Sequence, residues 1–138
     1  MKITRTIYIL HILVGIGAIC GGIGALSDIN KPMGISTETL HGVFDSFLIP
    51  GLFLLLIIGL GNFMCAFLIK KDALLCNYIS SLWGIIMMSW IVIQCLVLKD
   101  IVALHIIFFI IGFIQLFLNL LILKREVKFP FNVLSDYF

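Results

Sequence analysis

Charged residues divide the chain into four uncharged, strongly apolar stretches: 6–27, 46–69, 73–98 and 101–123. A helix needs about 20 residues, at roughly 1.5 Å each, to cross a hydrocarbon core of about 30 Å. Each stretch is long enough. The pattern predicts an all-α fold with spans near 7–26, 50–69, 74–98 and 101–123. Spans two and three are joined by Lys70-Lys71-Asp72, and spans three and four by Lys99-Asp100. Such short links force antiparallel neighbours, and Asp72 and Asp100 are placed to cap the helices that follow. No length remains for a second domain, so residues 1–138 are expected to form one integral membrane domain, a four-helix transmembrane bundle.

The first loop is the only long one. Ser27-Asp28-Ile29-Asn30-Lys31-Pro32-Met33-Gly34 is dense in turn formers. A helical spacing then returns. Leu40, Phe44, Phe47 and Leu48 fall on one stripe, with Glu38, His41 and Asp45 on the opposite one. This predicts a short amphipathic interfacial helix over about 37–48, with its phenylalanines toward lipid or the bundle. His41 and Asp45 lie four apart and would pair across one turn. Pro50 suits the first turn of span two, so the Ile49-Pro50-Gly51 step would separate a surface helix from a crossing helix; the alternative is a continuous helix capped by Asp45 and kinked at Pro50.

Span one is rich in small residues. Gly17, Gly21 and Ala25 recur every fourth residue, with Ala18 and Gly22 beside them. Small residues let membrane helices approach closely, so this span is expected to be the close-packed member of the bundle. His11 shares a side with Gly15, Ala18 and Gly22. It should face protein, because an ionisable group facing lipid is costly.

Composition agrees with this picture and adds an orientation. Hydrophobic residues make up 62% of the chain and charged ones 12%, against about 25% charged in soluble domains. The net charge of +2 is small, and its placement matters more. Lys2, Arg5, Lys70, Lys71, Lys124, Arg125 and Lys128 fall at one end of the predicted bundle, and Lys31 and Lys99 at the other. The positive-inside rule puts both termini and the Lys70-Lys71 loop in the cytoplasm. The mixed aromatic tail after Leu123 is expected on the same surface. The basic residues act as topology signals and form no nucleic-acid footprint. The first span has a basic start and an apolar middle, as a signal peptide has, but bulky Ile19 precedes Cys20 where a cleavage box wants a small residue. It is read as an uncleaved helix.

GAICGGIGAL-SD, then PMGI, FDSFLIPGLFLL with Gly59, Gly61 and Asn62, Trp90 with IVIQ, and LHIIFFIIG at 104–112 together resemble an uncharacterised family of small four-span bacterial membrane proteins. The resemblance covers nearly the whole chain. It implies the four-span fold and a bacterial inner membrane, and it supplies no activity.

Depth along the spans sorts the polar side chains into two levels. Trp90, Gln94 and His105 fall near the outer end, with His41 and Asp45 above them if the loop folds over the bundle. These five residues form the candidate ligand-binding set, since aromatic walls with a few convergent polar groups are what small-molecule sites use. The plainer alternative is that Gln94 and His105 only bond helix to helix and that Trp90 anchors the interface. His11, Asn62, Asn77, Gln115 and Asn119 lie toward the cytoplasmic half, where buried amides commonly serve as glue between helices.

Other chemistry has less support. His11 and His105 belong near opposite faces and cannot share a metal, and no His-x-x-x-His or Glu-x-x-His spacing occurs. Cys20, Cys65, Cys76 and Cys95 form no Cys-x-x-Cys pair and read as small buried hydrophobes. No nucleophile with a base and an orienting group is evident. No catalytic residue, metal or cofactor is therefore assigned. The expected partners are membrane lipids, a second copy of the chain or a partner membrane protein. Two functional classes remain: a non-enzymatic accessory or binding module for a partner protein or lipidic ligand, and an oligomeric carrier or small enzyme acting on an amphiphile in the outer leaflet. A closed, packed outer end would favour the first. A cavity lined by Trp90, Gln94 and His105 and open to lipid would favour the second.

Overall fold

The computed structural model describes residues 2–126 and 129–130. Four helices carry the fold: α1 Lys2–Ser27, α2 Leu48–Lys70, α3 Cys76–Leu98 and α4 Ala103–Arg125. All four are long and apolar enough to cross a membrane. Large apolar side chains point outward on each, among them Leu13, Leu60, Leu96 and Phe113. A soluble domain rarely exposes such continuous apolar surface. Of the tail after Leu123, residues 127–128 and 131–138 lie outside the described residues, so its expected surface position is not addressed beyond Phe129, whose carbonyl accepts from Tyr78 Oη at 3.0 Å.

The helices form a ring in chain order. α1 packs on α2, α2 on α3, α3 on α4, and α4 closes on α1, while the diagonal pairs make no backbone approach among the described residues. The inward face of α1 reads Ile7, His11, Val14, Gly15, Ala18 and Gly22, a helical stripe that keeps His11 off the lipid face as expected. The small-residue argument was right in kind and incomplete in place. A Cβ on Gly22 would stand 2.9 Å from the backbone nitrogen of Leu55, so α1 and α2 touch there at backbone distance. Gly21 meets only the flexible end of Leu54. An equally close crossing joins α3 and α4, where a Cβ on Gly84 would lie 2.9 Å from Gly112 O. Close packing is thus shared between α1 and the α3–α4 pair.

Pro50 occupies the first turn of α2, as expected, although the helix starts two residues earlier at Leu48. Residues Phe53–Leu60 of α2 then adopt a π-helical winding. Two side chains enter its hydrogen-bond ladder: Trp83 Nε1 donates to Ile57 O at 3.0 Å and Asn62 Nδ2 to Ile58 O at 2.7 Å. Inserted groups of this kind widen or bend a helix locally. The Trp83 ring lies where a Cβ of residue 61 would sit, so only Gly61 admits it.

The predicted interfacial helix over 37–48 does not form. A single 3-10 turn spans Thr37–Leu40, capped by Ser36 Oγ accepting from Glu38 N at 3.2 Å. His41 (φ 50°) and Gly42 (φ 74°) then enter the left-handed region and end it. Nothing lies within 4 Å of a Cβ built on Gly42, so conformation rather than space selects glycine there. The stripe of Leu40, Phe44 and Phe47 still faces the bundle. Leu40 and Phe47 are buried and form a small core with Val97. Asp28 Oδ1 receives the N–H groups of Asn30 and Lys31, each at 3.1 Å, which sets the loop's first turn. Phe47 N donates to Ile29 O at 2.8 Å and ties the loop's ends together.

The two expected aspartate caps are also revised. Asp72 sits at φ 50° with Leu75 at the N-cap of α3. Asp100 Oδ1 accepts from Ile101 N at 2.8 Å, ahead of the helix. At the start of α4 the group that reaches back is His105, whose Nδ1 accepts from Val102 N–H at 3.4 Å.

Candidate functional site

The end of the bundle that carries the 28–47 loop is hollow. A cavity of about 400 Å³ lies under the loop, bounded by Leu40, Phe44 and Phe47 above and by Trp90, Gln94 and His105 below. A narrower space of about 130 Å³ continues between the helices, lined by Gly17, Ala18, Ile58, Met87 and Phe108, with the same Trp90, Gln94 and His105 in its wall. The first volume falls in the usual range of small-molecule sites, about 300–1,000 Å³. Gly21 borders both spaces, so a side chain there would take room from each.

Trp90 is the fixed element of the wall. It is 6% exposed and stacks on Phe53, with ring centroids 4.2 Å apart and planes at 24°. Its Nε1–H has no hydrogen-bond partner. Buried indole N–H groups usually find an acceptor, because leaving one unmade is costly. His105 is 8% exposed. Since its Nδ1 receives the Val102 N–H, the ring proton of the neutral form is assigned to Nε2. Three of the five residues predicted as a ligand set, Trp90, Gln94 and His105, therefore share one cavity wall.

The other two do not line it. His41 Nδ1 lies 2.9 Å from Thr39 O and 3.0 Å from Val97 O. Both neighbours are acceptors, so the nitrogen donates and fastens the loop to the end of α3. Asp45 is exposed and stands apart from the cavity. The expected His41–Asp45 pair is absent because no helical turn aligns them. Among the described residues no three His, Cys, Asp or Glu side chains come together in a metal-binding group. Cys65 and Cys76 are buried as expected, but Cys20 faces outward and Cys95 is half-buried.

The opposite half of the bundle axis is filled with polar groups. His11, Asn62, Ser80, Gln115 and Asn119 are each 0% exposed and draw one side chain or more from every helix. His11 Nδ1 is 2.7 Å from Asn62 Oδ1, and its Nε2 is 2.6 Å from Ser80 Oγ. Asn119 Nδ2 donates to Ser80 Oγ at 2.6 Å and to Gln115 O at 2.7 Å. The amide of Asn62 cannot be reversed, because its nitrogen serves Ile58 O. Its oxygen therefore faces His11, and the imidazole proton belongs on Nδ1. A single donor order follows: Asn119 to Ser80, Ser80 to His11, His11 to Asn62, and Asn62 to Ile58 O. Gln115 Nε2 stands 3.2 Å from His11 Nδ1, donor against donor in this tautomer, and its bond goes to Asn62 Oδ1 at 3.4 Å. These bonds cross both diagonals of the ring, linking α1 to α3 and α2 to α4, which no backbone contact does. Gln115 Oε1 and Asn119 Oδ1 are left without a partner.

Asn77, expected in this inner group, offers only its carbonyl, to Ser81 Oγ at 2.8 Å. Ser80 was missed. A serine in a span can bond its own preceding turn, as Ser81 does, so the residue type alone carries little signal.

No protein-family model matches the chain, and neither a curated protein nor a solved structure is detectably similar to it.

Proposed function

We propose that this chain is a small multi-pass membrane protein whose loop-end cavity binds an amphiphile from the surrounding bilayer, without catalysing a reaction on it. The observation that carries this reading is the cavity itself: a partly open, mostly apolar space with Trp90, Gln94 and His105 in one wall and an unspent donor at Trp90. Its lining contains no serine or cysteine, and the Thr39 hydroxyl donates to Ser36 O at 2.7 Å, so no hydroxyl or thiol nucleophile supports an enzyme. The Lys/Arg distribution supports a cytoplasmic position for both termini and hence an outer-leaflet cavity; a bacterial inner membrane rests only on the resemblance of the sequence to small four-span bacterial proteins. Labelling a Ser36→Cys variant, in a background lacking the native cysteines, tests the orientation. Reaction only from the cytoplasmic side would reverse it.

Binding is tested by Trp90 fluorescence in a Trp83→Phe chain reconstituted with lipids brominated on their acyl chains. Bromine quenches only on contact, and Trp90 is shielded from bulk lipid. Saturable quenching that disappears in Gly21→Leu is expected. Weak quenching that rises linearly with bromolipid and ignores Gly21→Leu would refute occupancy of the cavity.

A further inference from the structure

The polarity of the cavity narrows what can occupy it. Its lining holds no lysine or arginine, and Asp100 stands among its residues. Nothing there offsets the charge of a phosphate or carboxylate, and a buried unpaired charge is costly. Hydrogen-bond donors are present instead. Trp90 Nε1–H is buried and unpartnered, and an indole nitrogen can only donate. His105 Nε2–H is a second donor, because Val102 N–H holds the other ring nitrogen as an acceptor. Stacking on Phe53 holds the Trp90 ring in place, so its donor is preorganised. Apart from these groups and the Gln94 amide, the narrow limb is apolar and suits a hydrocarbon chain.

Building on the amphiphile-binding reading above, we infer that the ligand is an uncharged lipid carrying a carbonyl oxygen, which accepts from Trp90 Nε1 while its chain enters the limb between Ala18, Met87 and Phe108. The ester carbonyl of an acyl lipid and the ring carbonyl of a lipid quinone share this chemistry.

The test is equilibrium binding of four radiolabelled probes to the full chain in detergent: methyl laurate, a short isoprenyl quinone, laurate and dodecane. At least one carbonyl probe should bind about tenfold tighter than dodecane, the size of one net buried hydrogen bond. Whichever of the ester and the quinone binds tighter identifies the source of the carbonyl. Laurate, ionised at neutral pH, should bind no better than dodecane. Trp90→Phe keeps the ring stack and removes the donor, so it should abolish the carbonyl preference. Equal binding of dodecane and both carbonyl probes by the unaltered chain would overturn this inference while leaving an apolar-ligand site standing. So would a carbonyl preference that survives Trp90→Phe, or tighter binding of laurate. Failure of all four probes to bind would overturn the inference and the amphiphile reading together.

Discussion

The two halves of the bundle axis are built from the same four helices and solve the same problem differently. At the end where α1 begins, His11, Asn62, Ser80, Gln115 and Asn119 fill the axis and spend most of their hydrogen bonds on one another. At the loop end the axis is open, and Trp90, in the cavity wall, keeps its buried donor unspent. Polar residues inside a membrane bundle are not all of one kind. Those that close a circuit across the diagonals act as glue, which also specifies the helix arrangement. Those that border a cavity with capacity left over are available to a ligand. Residue type does not separate the cases, since a buried histidine and an amide occur in both halves. Bond geometry and free volume do.

Adjacent glycines offer the sharpest way to break this comparison. Gly22→Leu forces a side chain against the Leu55 backbone, and overpacking should cost about 3 kcal/mol of stability, read from unfolding in mixed micelles. Gly21→Leu meets only the movable end of Leu54 and should cost less than about 1 kcal/mol while taking room from both spaces. Equal destabilisation by the two changes would mean that α1 and α2 do not cross where described. Next in size, Asn62→Ala removes the acceptor of His11 and the donor to Ile58 O. A loss of about 1–2 kcal/mol is expected, with amphiphile binding intact. A larger effect on binding than on unfolding would make the polar cluster part of the site.

Phe44→Ala thins the roof of the cavity. It should speed ligand release several-fold at a stability cost of about 1 kcal/mol, since Phe44 is only half-buried. Unchanged retention would show that the loop does not close the site. The smallest effect is expected from His41→Ala, which unfastens the loop from Val97 O. One lost hydrogen bond at the surface is worth about 0.5–1 kcal/mol. Hydrogen exchange of the loop amides should rise, with the four helices unaffected.

The spans were legible because each is a charge gap of the right length, and their ends moved by only a few residues. The loop was misread because its apolar spacing is helical while Gly42 and His41 take left-handed angles. Spacing records which side chains face inward, and Leu40, Phe44 and Phe47 do, but it does not record the backbone path between them. Trp90, Gln94 and His105 were placed together by depth alone, which works where short links hold α3 and α4 antiparallel. His41 and Asp45 could not be placed that way, because depth means little in an irregular loop. The contacts of Ser80 and of Trp83 with Gly61 depend on rotation about helix axes, as does the Gly84–Gly112 crossing. A sequence without a partner structure does not fix that rotation.

The central claim is that the open half holds a ligand and the filled half holds the fold. Its most direct test is native mass spectrometry of the chain released from mild detergent, comparing the unaltered protein with Gly21→Leu and Asn62→Ala. The account predicts one retained lipid-sized adduct on the unaltered chain and on Asn62→Ala, and none on Gly21→Leu. Adducts that persist on Gly21→Leu, or that vanish only with Asn62→Ala, would contradict it.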